Sequence, residues 1–186
     1  MANFVGFLLF ALFLPSIITS SSLSRCPREC ICDLDTTGRY VTACINTNLT
    51  RIPINELDTK MEIIIIQSPK NTLTIGHLFS DFKKLEILRI TDANVPAIGM
   101  HSFWGVPTLK TLDLSRNNIT QIYDDSFKGQ QNLIELNLAK NKLERIPSGT
   151  FKYLTVSDVH CILTISLIII NQLFRVFECW AWPIIH

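Results

Sequence analysis

The sequence lacks most of what chemistry on small molecules or nucleic acids requires. Its four histidines, His77, His101, His160 and His186, are scattered, and none stands at metal-ligand spacing from another histidine or a cysteine. Its seven glycines are dispersed, so no glycine-rich loop is available to cradle a phosphate. Lysine and arginine number 17 against 16 aspartates and glutamates, and no basic run occurs. That balance leaves no electrostatic case for nucleic acid or for an anionic membrane surface. Asp124 and Asp125 adjoin, but an exposed acidic pair is ordinary. No catalytic constellation, cofactor motif or metal set is left, and an enzyme is the remote alternative.

What the sequence does have is a period. Laid over itself at an offset of 24, it aligns Met61, Leu85, Leu109 and Leu133 in one column. Ile64, Leu88, Leu112 and Leu136 form a second column, and Ile66, Ile90, Leu114 and Leu138 a third. Phe79, Phe103, Phe127 and Phe151 close each unit. With 11 phenylalanines in 186 residues, that last alignment is not a chance event. Residues 61–155 therefore divide into four repeats of the form L-x-x-L-x-L-x-x-N-x-L with a looser half ending in Phe.

Within each unit the segment around the second and third columns alternates as a short strand does, for example Leu112-Asp113-Leu114. One such strand cannot stand alone. Stacked coils place like strands side by side in a parallel sheet and merge the aliphatic columns into one core. Asn117 and Asn141 fall where the strand ends and the chain turns inward. A buried amide there is expected to bond backbone groups freed by the turn, in its own coil and the next. Pro69 stands where the first repeat needs Asn, and Ala93 replaces it in the second, with Asn94 one place late. The asparagine ladder is therefore expected to begin only at Asn117.

Ahead of the repeats, residues 1–24 read as a secretory signal peptide: an apolar core through Leu14, then Pro15 and a Ser/Thr-rich stretch. Residues 25–60 follow, with Cys26, Cys30, Cys32 and Cys44 inside 19 residues. Four cysteines behind a signal peptide argue for two disulfides in an oxidising compartment. Zinc is disfavoured, because two of the thiols sit only two apart and no histidine is near. Spacing alone leaves three connectivities open.

The repeat unit, the cysteine cluster and the segment Asn48-Leu49-Thr50-Arg51-Ile52-Pro53 together resemble the secreted and cell-surface leucine-rich-repeat proteins of animals, over about residues 26–155. The resemblance implies a right-handed α/β solenoid with short parallel strands on a concave face and a disulfide-bonded N-terminal cap. It implies pairing of Cys26 with Cys32 and of Cys30 with Cys44. It also implies a protein-binding module, a fragment of an adhesion, receptor or matrix-associated protein, whose partner is an unknown protein ligand or receptor. Function beyond that does not follow, since this scaffold hosts many functions.

Strand alternation names the candidate binding face. Its outward positions are Ile63, Ile65 and Gln67; Ile87, Arg89 and Thr91; Thr111, Asp113 and Ser115; then Glu135, Asn137 and Ala139. Arg89 and Asp113 are expected to face each other across neighbouring strands. The face should be aliphatic toward the cap and polar toward the C-terminus. Two sequons, Asn48-Leu49-Thr50 and Asn118-Ile119-Thr120, fit glycosylation in a secreted chain. Asn118 is the better placed of the two by pattern, lying between the inward residues Asn117 and Ile119.

Residues 156–186 leave the pattern. At 24-residue steps a fifth coil needs leucine-like residues at 157, 160 and 162, and the chain has Ser157, His160 and Ile162. Cys161 and Cys179 stand apart from any cluster of the kind that closes such solenoids. Three readings are open. A membrane anchor would use Val159 to Phe174, only 16 residues and interrupted by His160, Asn171 and Gln172. A divergent apolar cap is the second. The third is translated intron, since Val156-Ser157 is what the splice-donor sequences GTAAGT and GTGAGT encode in frame. Without a successor coil, the strand around Leu136 is expected to present an unpaired edge.

Overall fold

A computed structural model of the protein describes residues 25–154 and 160–162. The signal-peptide reading of residues 1–24 and most of the apolar tail lie outside the described residues. Among the described residues there are nine strands: β1 (Ile31–Leu34), β2 (Tyr40–Ile45), β3 (Ile63–Gln67), β4 (Ile87–Thr91), β5 (Ala97–Ile98), β6 (Thr111–Asp113), β7 (Gln121–Ile122), β8 (Glu135–Asn137) and β9 (His160–Ile162). Seven form one sheet in the order β1-β2-β3-β4-β6-β8-β9, and β5 pairs with β7 on the opposite side. Within the large sheet every pairing is parallel except β1 with β2. The leucine-rich-repeat solenoid stands as expected. Its convex half is built of turns and the short β5–β7 ribbon, and among the described residues the one helical element is the 3-10 turn Ile54–Glu56.

The 24-residue columns become the sheet register. Ile64 pairs with Leu88, Leu88 with Leu112, and Leu112 with Leu136. All four are buried, as are Met61, Leu85, Leu109 and Leu133. On the far side of the core Phe79, Phe103 and Phe127 are fully buried and Phe151 is half-buried. Their rings stack coil on coil, with centroids 6.4, 6.0 and 6.0 Å apart. Offset stacking at such separations adds to the area each ring removes from water. After Phe103 and Phe127 the chain turns through a left-handed residue. Gly105 and Gly129 supply it with φ of 90° and 86°, and a Cβ on Gly105 would lie 3.2 Å from Ser80.

The cap joins this sheet as if it were another coil. Parallel pairing of β2 with β3 sets Thr42 beside Ile64 and Cys44 beside Ile66, both inward and fully buried. The Thr42 hydroxyl donates to Met61 Sδ at 3.1 Å, which satisfies a polar group in an otherwise apolar layer. Disulfides join Cys26 to Cys32 and Cys30 to Cys44, the connectivity that the resemblance implied. The β1–β2 turn is tied by Asp35, whose carboxylate accepts from Thr37 and Arg39. Those donors, the Thr37 hydroxyl foremost, hold the Asp35 pKa far below the usual carboxylate range. At the edge strand, Asp33 Oδ1 accepts from the Leu34 N–H, which blunts the outermost backbone donor there.

Two expectations about the ladder need correction. First, it begins at Asn71. Asn71 Oδ1 accepts from Leu49 N at 2.7 Å, as Asn117 Oδ1 accepts from Val95 N and Asn141 Oδ1 from Ile119 N. The first repeat spends two more residues between Ile66 and its Asn than later repeats do, so a fixed offset lands on Pro69. Second, each amide reaches the preceding coil, not the next. Asn117 Nδ2 donates to Ile90 O at 2.7 Å and to Leu114 O at 3.0 Å in its own coil, and its Oδ1 also accepts from Ala93 N. Asn141 repeats this with Leu114 O and Leu138 O. Ala93, lacking an amide, is served by its successor's.

The edge expected beyond β8 is occupied. Strand β9 pairs in parallel with β8, Glu135 with His160, Leu136 with Cys161 and Asn137 with Ile162. The step from β8 to β9 is 25 residues, which is why a search at 24 places found His160 where an inward residue was required. Leu136 and Leu138 are buried, while Leu143 stays half-buried.

Replacing Asn117 by Ala strands the Ala93 and Val95 N–H groups and the Ile90 carbonyl in the core, while Leu114 O keeps its bond from Asn141; each unsatisfied group costs about 1–3 kcal/mol. With partial relaxation the expected loss is about 3 kcal/mol, against about 1 kcal/mol for Asn118→Ala at the adjacent, half-buried position, whose amide makes one hydrogen bond. Urea denaturation of both variants checks the ranking; equal losses would remove the ladder from its role.

Candidate protein-binding face

The concave face is laid down in rows by the register. One row runs Val41, Ile63, Ile87, Thr111, Glu135, and the next runs Ala43, Ile65, Arg89, Asp113, Asn137. The third begins with Ile45 and Gln67 beside Thr91. Of the positions expected to face outward, Ile65, Gln67, Ile87, Thr111, Asp113, Glu135 and Asn137 are half-buried and Arg89 is exposed. Four are not available. Ile63 is buried between Val41 and Ile87 in the aliphatic row, and Thr91, Ser115 and Ala139 are buried at the end of their strands.

The strand-end positions are lost because the chain has already begun to turn there. Asp92, Arg116 and Lys140, one unit apart, take φ of 51°, 56° and 57°. Asp113 Oδ1 accepts from Ser115 N, and Asn137 Oδ1 from Ala139 N, which curls the third outward position off the face. The same carboxylate and amide therefore serve the fold with one oxygen and the surface with the remainder.

Sequence reasoning missed the part of this face contributed by the cap. Ile31 pairs with Ala43, placing it in the row of Ile65 and Arg89, and it is 73% exposed. Ile45, beside Gln67, is 52% exposed. Together with Val41, Ala43 and Ile65 they extend the aliphatic end two strands beyond the repeats. The alternation Val41-Thr42-Ala43-Cys44-Ile45 carries that signal.

Charge on the face is divided unevenly. Arg89 and Asp113 face each other in register as expected, yet among the described residues no ion pair joins them. Arg116 instead pairs with Asp92 at 2.9 Å, and Gln67 Nε2 donates to the same carboxylate. Exposed pairs of this kind contribute well under about 1 kcal/mol. Arg89 is thus an exposed cation with no counter-charge among the described residues, standing where the aliphatic rows give way to polar ones.

The convex side carries a second set of exposed groups. Trp104 is 49% exposed, stacked against His77 at 6.0 Å and lying under Lys128 Nζ at 5.6 Å. Asp125 is more engaged than an ordinary surface acid. It accepts from Tyr153 OH at 2.7 Å and pairs with Lys152 at 3.3 Å, with His101 Nε2 3.5 Å away. These contacts link residues of three successive coils. Asp124 is exposed, and a Cβ on Gly149 would meet its carboxylate. Among the described residues no three His, Cys, Asp or Glu side chains gather as a metal site, and no helix is long and apolar enough to cross a membrane.

Comparison with known proteins agrees with this architecture. A leucine-rich-repeat family model matches residues 107–156. The leucine-rich repeat-containing protein 3B of Homo sapiens, Mus musculus and Bos taurus is 32% identical over 99 residues, 53% of this chain and 37% of each relative. This chain thus spans little more than a third of the curated relatives it matches. The crystal structure of human 5T4 (Wnt-activated inhibitory factor 1, trophoblast glycoprotein) superposes with a TM-score of 0.57 at 20% identity, covering 73% of this chain and 52% of that one. The fold is that of a leucine-rich-repeat solenoid, and residues 107–156 match the repeat itself. Its solenoid carries a disulfide-bonded N-terminal cap that shares the concave sheet.

Asp125 offers a titratable reporter of the convex contacts. The Tyr153 hydroxyl, then Lys152, lowers its pKa below the ordinary 3.8. A lowered folded pKa means that its contribution is present above 3.8 and is lost as pH falls through the folded value. Tyr153→Phe should therefore raise the carboxyl midpoint toward 3.8, measured by carbon-detected NMR titration. An unmoved midpoint would assign the shift to some other donor.

Proposed function

We propose that the protein is an extracellular protein-binding module, part of a cell-surface adhesion, receptor or matrix-associated leucine-rich-repeat protein, and that its concave sheet takes the partner. The observation that carries this reading is the surface left unspent by folding at the cap end of that sheet: Ile31 and Ile45 exposed, Ile65 and Ile87 half-buried, and Arg89 exposed beside them with no ion-pair partner among the described residues. An apolar centre with an adjoining arginine is the composition that interface hot spots favour. Extended concave surfaces are how solenoids commonly bind. Two disulfides in a small cap support an oxidising compartment.

The test is a binding screen of the purified protein against a panel of cell-surface ectodomains, repeated with Arg89→Glu and with Arg89→Glu/Ile65→Asp. Expected is at least about a tenfold loss of affinity for each captured ectodomain, the equivalent of roughly 1.4 kcal/mol. The circular dichroism spectrum and disulfide content should stay unchanged. Full affinity in the folded variants would move the site to the convex side or the loops.

A further inference from the structure

The two sequons fold into different environments. Asn48 lies between Thr47, whose hydroxyl donates to Asn71 Oδ1 at 3.1 Å, and Leu49, whose N–H donates to the same oxygen at 2.7 Å. Thr47 is buried and Leu49 packs against the core, so both neighbours are drawn inward and Asn48 is left exposed between them. Among the described residues its amide has no hydrogen-bond partner, and Thr50, which completes the sequon, is exposed as well.

Asn118 is half-buried, and its Nδ2 donates to Asn94 Oδ1 at 3.0 Å. Asn94 Nδ2 in turn donates to Pro69 O and Asn71 O at 2.9 and 2.8 Å. The sequon threonine is also engaged, with Thr120 Oγ1 donating to Pro96 O at 3.3 Å. This amide chain ties three successive coils along the rim where the strands end. The pattern-based preference for Asn118 is thereby reversed: lying between two inward residues exposes its backbone position, but its side chain turns back along the rim onto the preceding coil.

We propose that the folded protein carries an N-linked glycan on Asn48 and none on Asn118, an assignment that rests on export to the secretory lumen. Transfer joins Nδ2 to the anomeric carbon of a lipid-pyrophosphate-linked oligosaccharide. The anomeric carbon–phosphate oxygen bond breaks, and lipid pyrophosphate and one amide proton depart. The entering chain offers both asparagines to that reaction before it folds. A sugar on Asn48 then stays in solvent. A sugar on Asn118 must share its nitrogen with the Asn94 contact at a half-buried position, so chains bearing it do not close the rim and are excluded from the folded pool.

The experiment expresses the full chain in a eukaryotic secretory host and isolates the pool whose cap cysteines resist alkylation. That pool is treated with peptide-N-glycosidase in heavy-oxygen water, and its peptides are mapped by mass. Expected are heavy-oxygen aspartate at position 48 and unmodified asparagine at 118. Thr50→Ala, which removes the sequon without touching a hydrogen bond, should abolish the single-glycan mobility step, and Asn118→Gln should leave it. Label at 118, or none at 48, in the alkylation-resistant pool overturns the assignment. Free cap thiols together with no glycan at all overturn the export reading, and the assignment falls with it.

Discussion

The structure depends on one requirement: the backbone polar groups released where each strand ends must find partners, and a single coil cannot supply them. Strands of three to five residues leave their last carbonyls and the following N–H groups facing the core. Asn117 answers for the coil before it, bonding Ile90 O, Ala93 N and Val95 N, and Asn141 does the same for Leu114 O and Ile119 N. These coils are therefore completed by their successors. Nearest-neighbour terms of this kind, with the stacked phenylalanines opposite, make solenoid stability a property of pairs of coils.

That dependence explains the two ends. At the N-terminal end no aliphatic coil precedes β3, and β2 takes its place by pairing in parallel and setting Thr42 and Cys44 into the leucine columns. Asn71 then extends the ladder into the cap through Thr47 and Leu49. The Cys30–Cys44 disulfide holds this false coil from its inner side. Past the fourth repeat β9 supplies backbone pairing for β8, and Leu143 and Phe151 are half-buried against the core.

How much of this can be read before a structure depends on whether the responsible residues keep a fixed offset. The leucine and phenylalanine columns do, so fold, core and sheet register were legible, including the Arg89–Asp113 facing. Asn71 does not, because two extra residues after Ile66 shift it off the column, and a strict offset saw Pro69 instead. The left-handed column Asp92, Arg116 and Lys140 was illegible for a different reason. Arg and Lys are not residues that announce positive φ, and the conformation is imposed by the turn. That turn also buries Thr91, Ser115 and Ala139, which simple alternation had placed on the face. The 25-residue step hid β9 in the same way as the shift at Asn71.

The candidate face follows from the same geometry. Because neighbouring coils are locked in register by the ladder and the core, the outward rows are held on a rigid sheet, and little conformational entropy remains to be lost there on association. The cap changes the character of that sheet. Its inward positions had to match the leucine columns, but its outward positions were free, and they are Ile31, Val41, Ala43 and Ile45. Nothing in folding requires isoleucine at an exposed edge, where a polar residue would be better solvated. Arg89 is likewise unneeded by the fold, since Asp113 spends an oxygen on the Ser115 turn and Asp92 is taken by Arg116. Residues that the solenoid does not require, gathered on its most rigid surface, are the physical basis for placing recognition there.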